Sequence, residues 1–390
     1  MRSIIVGIVI GSVLGVMVGT TIIAPGLVPL EPQQPSAPVQ ETAEPPLPSS
    51  SQAAQPKTAT ELPPAGPGKP TVRWRMASAY SGNLPQLGSL AKRVGTKIWE
   101  ISDGGIEIKF FEPGTLVAAS NMFDAVASGA IDAAFSSPGN WREKEPSLQL
   151  YSAIPFGPPP GEYLAWAYFG GGEYLLNEIY HPHGIHSLLC GMIAPRASGW
   201  YRRTFTTPGD LEGLKMRASG LGAKVLNKMG VQTLLLNDVD IFLALENGEI
   251  DAAEFSMPAI DLKLGFQELA NHYYFPGWQQ PSSFFELLMN KDKWDSLPKT
   301  RKSQIRTVCG DNVRYGLAEG EALQYEALNE LTAKGVKIHR WPATILSAIE
   351  TAWKDVAAEQ AGADAKFRRV WRSLSDFRKN YAIWKELARP

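Results

Sequence analysis

Polar and apolar residues alternate over 72–77, VRWRMA, with the two-residue period of a strand buried on one face. Apolar positions then recur at helical spacing over 87–102, and alternation returns over 106–111 before Pro113-Gly114. Next comes MFDAVASGAIDAAF at 122–135: an amphipathic helical turn, a glycine suited to end it at positive φ, and a short apolar strand. The chain repeats this unit at 241–254 as IFLALENGEIDAAE. Phe123 matches Phe242, Ala125 matches Ala244, Gly129 matches Gly248, and Ile131-Asp132-Ala133-Ala134 match Ile250-Asp251-Ala252-Ala253. The copies diverge where each strand should end, at Phe135-Ser136-Ser137-Pro138 and at Glu254-Phe255-Ser256-Met257-Pro258.

The order strand, loop, helix, strand, turn, helix, strand implies a mostly parallel sheet. Copies more than a hundred residues apart imply two similar α/β lobes, because a solenoid repeats every 20–50 residues. Ligands of open α/β sheets bind beyond the carboxyl ends of strands, so the cleft between the lobes is the expected site. Residues 161–180 read as helix interrupted by a turn at Gly170-Gly171-Gly172, which lacks the Gly-Lys-Ser/Thr of a phosphate loop. Strands over 185–192 and 200–204 are expected to cross between lobes, and 211–217 opens the second strand–helix–strand unit. A long amphipathic helix over 299–334 should span both lobes, with further helix over 343–387. Lobe 1 is then about 71–195 plus part of the C-terminal region, and lobe 2 about 205–295.

Residues 1–30 stand outside this fold. After Arg2, residues 4–23 are uncharged, about the 20 residues that a bilayer core requires. Secretory apolar regions are shorter, about 7–15 residues, and end at a small-x-small site that is not evident here. An uncleaved anchor with its N-terminus inside is therefore preferred to a cleaved signal. Gly7, Gly11, Gly15 and Gly19 share one face, either a helix-association surface or the ordinary glycine content of such helices. Residues 31–70, rich in Pro, Ser, Ala and Gln, read as a disordered tether spanning roughly 35 Å or more. A net charge of −1 argues against nucleic acid. The two cysteines, Cys190 and Cys309, make no disulfide framework and read as buried thiols.

Arg217 should end a strand facing the cleft, where its fork of donors suits a carboxylate, although a structural ion pair is the plainer alternative. Glu254 is the polar departure from an apolar repeat, and is either a ligand-side group or a partner for Arg217. Tyr80 lies in the loop after the first strand; Trp141, Phe255 and Trp278 are pocket-wall aromatics if they are not core. His181, His183 and His186 have a superficial metal spacing that a loop explains better. Asp132 and Asp251, at equivalent repeat positions, should cap the same turn twice. No nucleophile elbow, HExxH or dinucleotide fingerprint is present, so no enzyme is indicated.

GLKMRASG at 213–220, LALENGEIDAAE at 243–254 and YYFPGW at 273–278 resemble the substrate-binding proteins of tripartite ATP-independent periplasmic (TRAP) transporters. FGGGEYLLNE at 169–178 and SGWYRR at 198–203 resemble the branch that binds 2-oxo acids. The resemblance covers roughly 72–387. It implies a two-lobed periplasmic-binding fold with crossing hinge strands and a long spine helix, closing on an organic acid, with Arg217 as the carboxylate-binding residue. In that branch a cation joins the ligand to a Gln, a Glu-Trp pair and a second Glu. Here Arg196 stands at the Gln position, Glu254-Phe255 at the pair and Gln280 at the second Glu, so Arg196 is expected to substitute for the cation and no metal or cofactor is expected. The implied role is a periplasmic binding protein, tethered to the inner membrane, that passes a 2-oxo or 2-hydroxy monocarboxylate to TRAP permease subunits. A sensor input domain, an enzyme, and a dicarboxylate binder using Arg196 and Arg217 are the rivals. The branch can carry an extra C-terminal helix used in a swapped dimer; without it, the soluble domain is expected to be monomeric.

Overall fold

The computed structural model describes residues 70–236 and 238–388, all within one compact unit. The anchor and tether expectations fall on residues 1–69 and lie outside the described residues; no described helix is long and apolar enough to cross a membrane. Strand β1 (Val72–Ser78) leads to helix α1 (Gly88–Ile101), which buries Leu90, Ala91, Val94 and Ile98 as one stripe. Strand β2 (Ile106–Phe111), helix α2 (Met122–Ala127) and strand β3 (Ala133–Ser136) complete the first unit. Helices α3 (Pro160–Phe169) and α4 (Gly172–Tyr180) are separated at the triple glycine, with Gly171 at φ +86°. Strands β4 (Ile185–Ile193) and β5 (Gly199–Tyr201) follow.

The second unit runs β6 (Lys215–Arg217), α5 (Gly220–Lys228), β7 (Gln232–Leu234), α6 (Asp238–Glu246) and β8 (Ala252–Ala253). After α7 (Pro258–Leu264) come β9 (His272–Phe275), β10 (Ser283–Asn290) and the short α8 (Lys291–Asp295). The long helix α9 (Lys299–Ala333), strand β11 (Lys337–Arg340), and helices α10 (Ala343–Ala363) and α11 (Ala365–Ala388) close the chain.

Two sheets result, ordered β2-β1-β3-β10-β4 and β11-β9-β5-β8-β6-β7. Within each, the repeated unit is parallel and has its first strand in the middle: β2-β1-β3 and β7-β6-β8. Each then adds an antiparallel strand from the other half of the chain, β10 beside β3 and β5 beside β8. The repeat glycines do the same job in both: Gly129 at φ +76° and Gly248 at φ +72° turn the chain from helix into strand. The aspartates also share a task, but it is not the expected turn cap. Asp132 Oδ2 accepts the Arg75 backbone N–H at 2.7 Å, and Asp251 Oδ2 accepts that of Lys215 at 3.1 Å. Each carboxylate thus fastens its strand's start to the central parallel neighbour.

The chain passes between sheets at 194–198, at 276–282 and along α9. The long helix was expected to span both halves, whereas the strands expected to cross, β4 and β5, each stay in one sheet and the segment between them makes the crossing. The first two crossings are bonded to each other, Gly277 N–H to Arg196 O at 3.0 Å and Ser198 N–H to Tyr274 O at 2.8 Å. A side chain at 277 would collide with the Arg196 carbonyl, so the contact requires glycine. Gln279 reinforces the pair, donating to Ser198 O and accepting from Ser198 Oγ. Cys190 on β4 and Cys309 on α9 form a disulfide, which corrects the reading of both as free thiols. Each lies in an apolar run, and the pairing spans 119 positions, so nothing local signals it. It ties the hinge strand to the spine helix.

Sheet one carries a buried acid. Glu286 on β10 is fully enclosed; its Oε1 accepts from Ser136 Oγ, Trp141 Nε1 and Tyr180 OH, and Oε2 meets Ser187 Oγ at 3.1 Å. Loss of hydration outweighs these bonds and pushes its pKa up to about 7. A raised folded-state value means the contribution is fully present below the unfolded carboxyl pKa and is lost as pH rises through about 7. Urea unfolding at pH 5.5 and 8 should therefore show wild type losing stability on the order of 2 kcal/mol with rising pH. Glu286→Gln, isosteric with the protonated acid, should flatten that slope; equal slopes in both proteins would contradict the assignment.

Candidate functional site

The equivalent strand ends of the two units converge on one cavity of about 200 Å³. From the first sheet come Tyr80 beyond β1, and Ser137, Gly139, Asn140 and Arg142 beyond β3. From the second come Arg217 at the end of β6, Ser219, Gly220 and Leu221 at the start of α5, and Phe255 and Ser256 beyond β8. The crossings supply Ile193, Arg196, Gln280, Ser283 and Phe285, and a 3₁₀ segment over Pro146–Tyr151 supplies Gln149. A doubly wound unit delivers loop residues at the carboxyl edge of its sheet, so two facing units make a walled cleft.

Five of the expected residues, Tyr80, Arg196, Arg217, Phe255 and Gln280, line this cleft. Glu254 sits just behind it, only 1% exposed. Its Oε2 accepts from Arg196 Nη2 at 2.9 Å, and its Oε1 accepts the Ser219 backbone N–H at 3.2 Å. Glu254 is thus the side-chain partner of Arg196. Arg217 meets the main chain of Glu254, donating from Nη1 to Glu254 O at 2.7 Å while lying over the Phe255 ring. Arg196 also donates to Phe255 O at 2.7 Å, which anchors the guanidinium at the mouth of the second unit. Beneath Ser256, fully buried Asp261 takes bonds from Trp200, Tyr273 and the Ser256 N–H, and desolvation raises its pKa to about 6.

Trp141 and Trp278 are corrections, since neither lines the cleft. Trp141 turns inward to donate to Glu286, and Trp278 stacks on Phe156 with ring centroids 5.9 Å apart. Both residues belong to the core, because their large faces are more completely dehydrated there. The histidine group makes a His181–His186 pair and a separate His183–Glu145 contact, and no metal-holding cluster occurs among the described residues. The sequence reading missed Arg142, Gln149 and Ser219. Arg142 directly follows Trp141; its side chain is 22% exposed and 3.5 Å from the open carboxylate of Glu143. The polar run straight after the first repeat strand was the available signal for Arg142, and the end of β6 for Ser219. Three arginines line the cleft, and among the described residues no acid does.

The family model for bacterial extracellular solute-binding protein, family 7 (DctP), matches residues 76–363. A monocarboxylate 2-oxoacid-binding periplasmic protein of Nostoc sp. is 33% identical over 317 residues, covering 81% of this chain and 87% of the relative. A TRAP transporter solute-binding protein from Bordetella bronchiseptica, solved with copurified calcium and picolinate, superposes with a TM-score of 0.78 at 32% identity, covering 82% of this chain and 95% of that one. One from Colwellia psychrerythraea, with bound calcium and pyruvate, gives 0.78 at 28% identity, covering 81% and 97%. The chain belongs to family 7 of the bacterial extracellular solute-binding proteins, DctP, the solute-capturing components of TRAP transporters.

Proposed function

We propose that the protein captures a small 2-oxo or 2-hydroxy acid in the periplasm, monocarboxylates being the simplest case, and passes it to a TRAP permease. The observation that carries this is a cleft lined by Arg142, Arg196 and Arg217, with no lining acid among the described residues. Arg217, held at a strand end by two main-chain carbonyls, offers the fork that grips a carboxylate. No bond is made or broken; the ligand favours closure of the two units about the bonded crossings. The oxidised Cys190–Cys309 pair suits an oxidising compartment outside the cytoplasm. Residues 1–30 would tether the protein to the inner membrane and 31–70 would let it reach the permease.

Two solved relatives contain bound calcium together with picolinate or pyruvate, but the residues here do not fit a cation. Glu254 has both carboxylate oxygens engaged, by Arg196 and by the Ser219 N–H. A guanidinium already occupies the position from which it would repel a metal, and like charges a few ångströms apart repel by several kcal/mol at low effective dielectric. Arg196 thus does the cation's electrostatic work, and Gln280 lines the cleft as a neutral donor or acceptor. Calorimetric titration of the full chain with small organic acids, in sodium-free buffer after exhaustive chelation, should give the same affinity as in untreated buffer. A large loss restored by one specific cation would overturn the cation-free site.

A further inference from the structure

We propose that Gln149 reads a hydroxyl on the bound acid, so that the cleft prefers 2-hydroxy acids to their 2-oxo analogues. This rests on the reading above, in which the cleft holds a small organic acid. Gln149 lines the cleft yet is only 4% exposed. Its amide has one sensible orientation: Nε2 donates to Pro146 O at 3.1 Å, and a flipped amide would set oxygen against oxygen. That leaves Oε1 as a buried acceptor with no partner among the described residues. It points toward the start of α5, 3.4 Å from where a side-chain carbon on Gly220 would lie, and glycine there keeps the approach open.

A buried acceptor is completed only by a donor. At neutral pH a 2-oxo acid presents acceptors alone, while a 2-hydroxy acid adds one O–H. An oxo ligand that displaces water from the cleft strands Oε1; a hydroxy ligand satisfies it. The second unpartnered atom of the cleft residues, Arg196 Nε, is a donor and serves both ligands equally. Discrimination therefore falls to Gln149. A stranded acceptor of this kind corresponds to about a tenfold preference or more.

The test is titration calorimetry on the full chain with matched pairs, lactate against pyruvate and 2-hydroxybutyrate against 2-oxobutyrate. The hydroxy member of each pair should bind about tenfold tighter or better, and Gln149→Met should bring the ratio close to one, because the oxo acids no longer strand an acceptor and the hydroxy acids no longer satisfy one. Equal or tighter binding of the oxo acids by wild type would overturn the proposal and leave the organic-acid reading intact, as would an unchanged ratio in a Gln149→Met protein that melts like wild type. Should that variant not fold, the wild-type ratio alone decides. If none of the four acids binds, the organic-acid reading itself fails and takes this proposal with it.

Discussion

Replacing Cys190 and Cys309 together by alanine is expected to lower unfolding stability by about 2–5 kcal/mol, the usual effect of removing a native disulfide. The bond closes a long loop, 119 positions, which restricts the unfolded chain strongly. It also fixes β4 against α9 beside Asn312, whose side-chain amide donates to Cys190 O at 2.6 Å. Both cysteines are almost wholly buried, so the effect should appear with little change in ligand affinity. Urea unfolding of the oxidised wild type and the double variant measures it. A difference within about 0.5 kcal/mol, the range of an ordinary surface substitution, would show that packing of α9 on β4 holds the hinge unaided.

The cleft's position was legible because repetition carries information that propensity does not. Seven shared identities across 122–135 and 241–254 place two strands of the same kind in two sheets, and strand ends of that kind meet ligands. Arg217 was found by this logic, as the last residue of the strand central to the second unit. The disulfide was hidden, since each cysteine sits in an apolar run that buries a thiol equally well. Trp141 and Trp278 illustrate a second limit: an aromatic residue near a strand end suits a core and a pocket wall alike, and only the placement of Glu286 and Phe156 decides. Gln149 and Arg142 lie on short 3₁₀ segments or at their ends, where no periodicity shows which way a side chain faces.

Glu254 shows how the same residue reads differently once its neighbours are placed. Sequence divergence at the strand end marked it as functional, with the ligand or Arg217 as its partner. The fold gives its carboxylate to Arg196 and Ser219, while Arg217 Nη1 bonds the Glu254 main-chain oxygen, so the two arginines meet this residue in different ways. In the proposed function Arg196 organises the wall and Arg217 meets the ligand's carboxylate.

That division makes Arg217 the residue on which binding should depend most. Its guanidinium is nine-tenths buried and is positioned by Glu254 O, by Leu236 O and by the Phe255 face. Arg217→Met keeps much of the apolar stem and removes the fork. Loss of a buried, hydrogen-bonded charge partner costs about 2–5 kcal/mol, or about thirtyfold to several thousandfold in affinity. Arg217→Lys, which retains the charge without the paired donors, should fall between. The decisive measurement is calorimetric affinity of wild type and Arg217→Met for the tightest-binding organic acid, with melting curves confirming that both are folded. The account predicts a loss of at least about thirtyfold in a folded variant; affinity equal to wild type would contradict it.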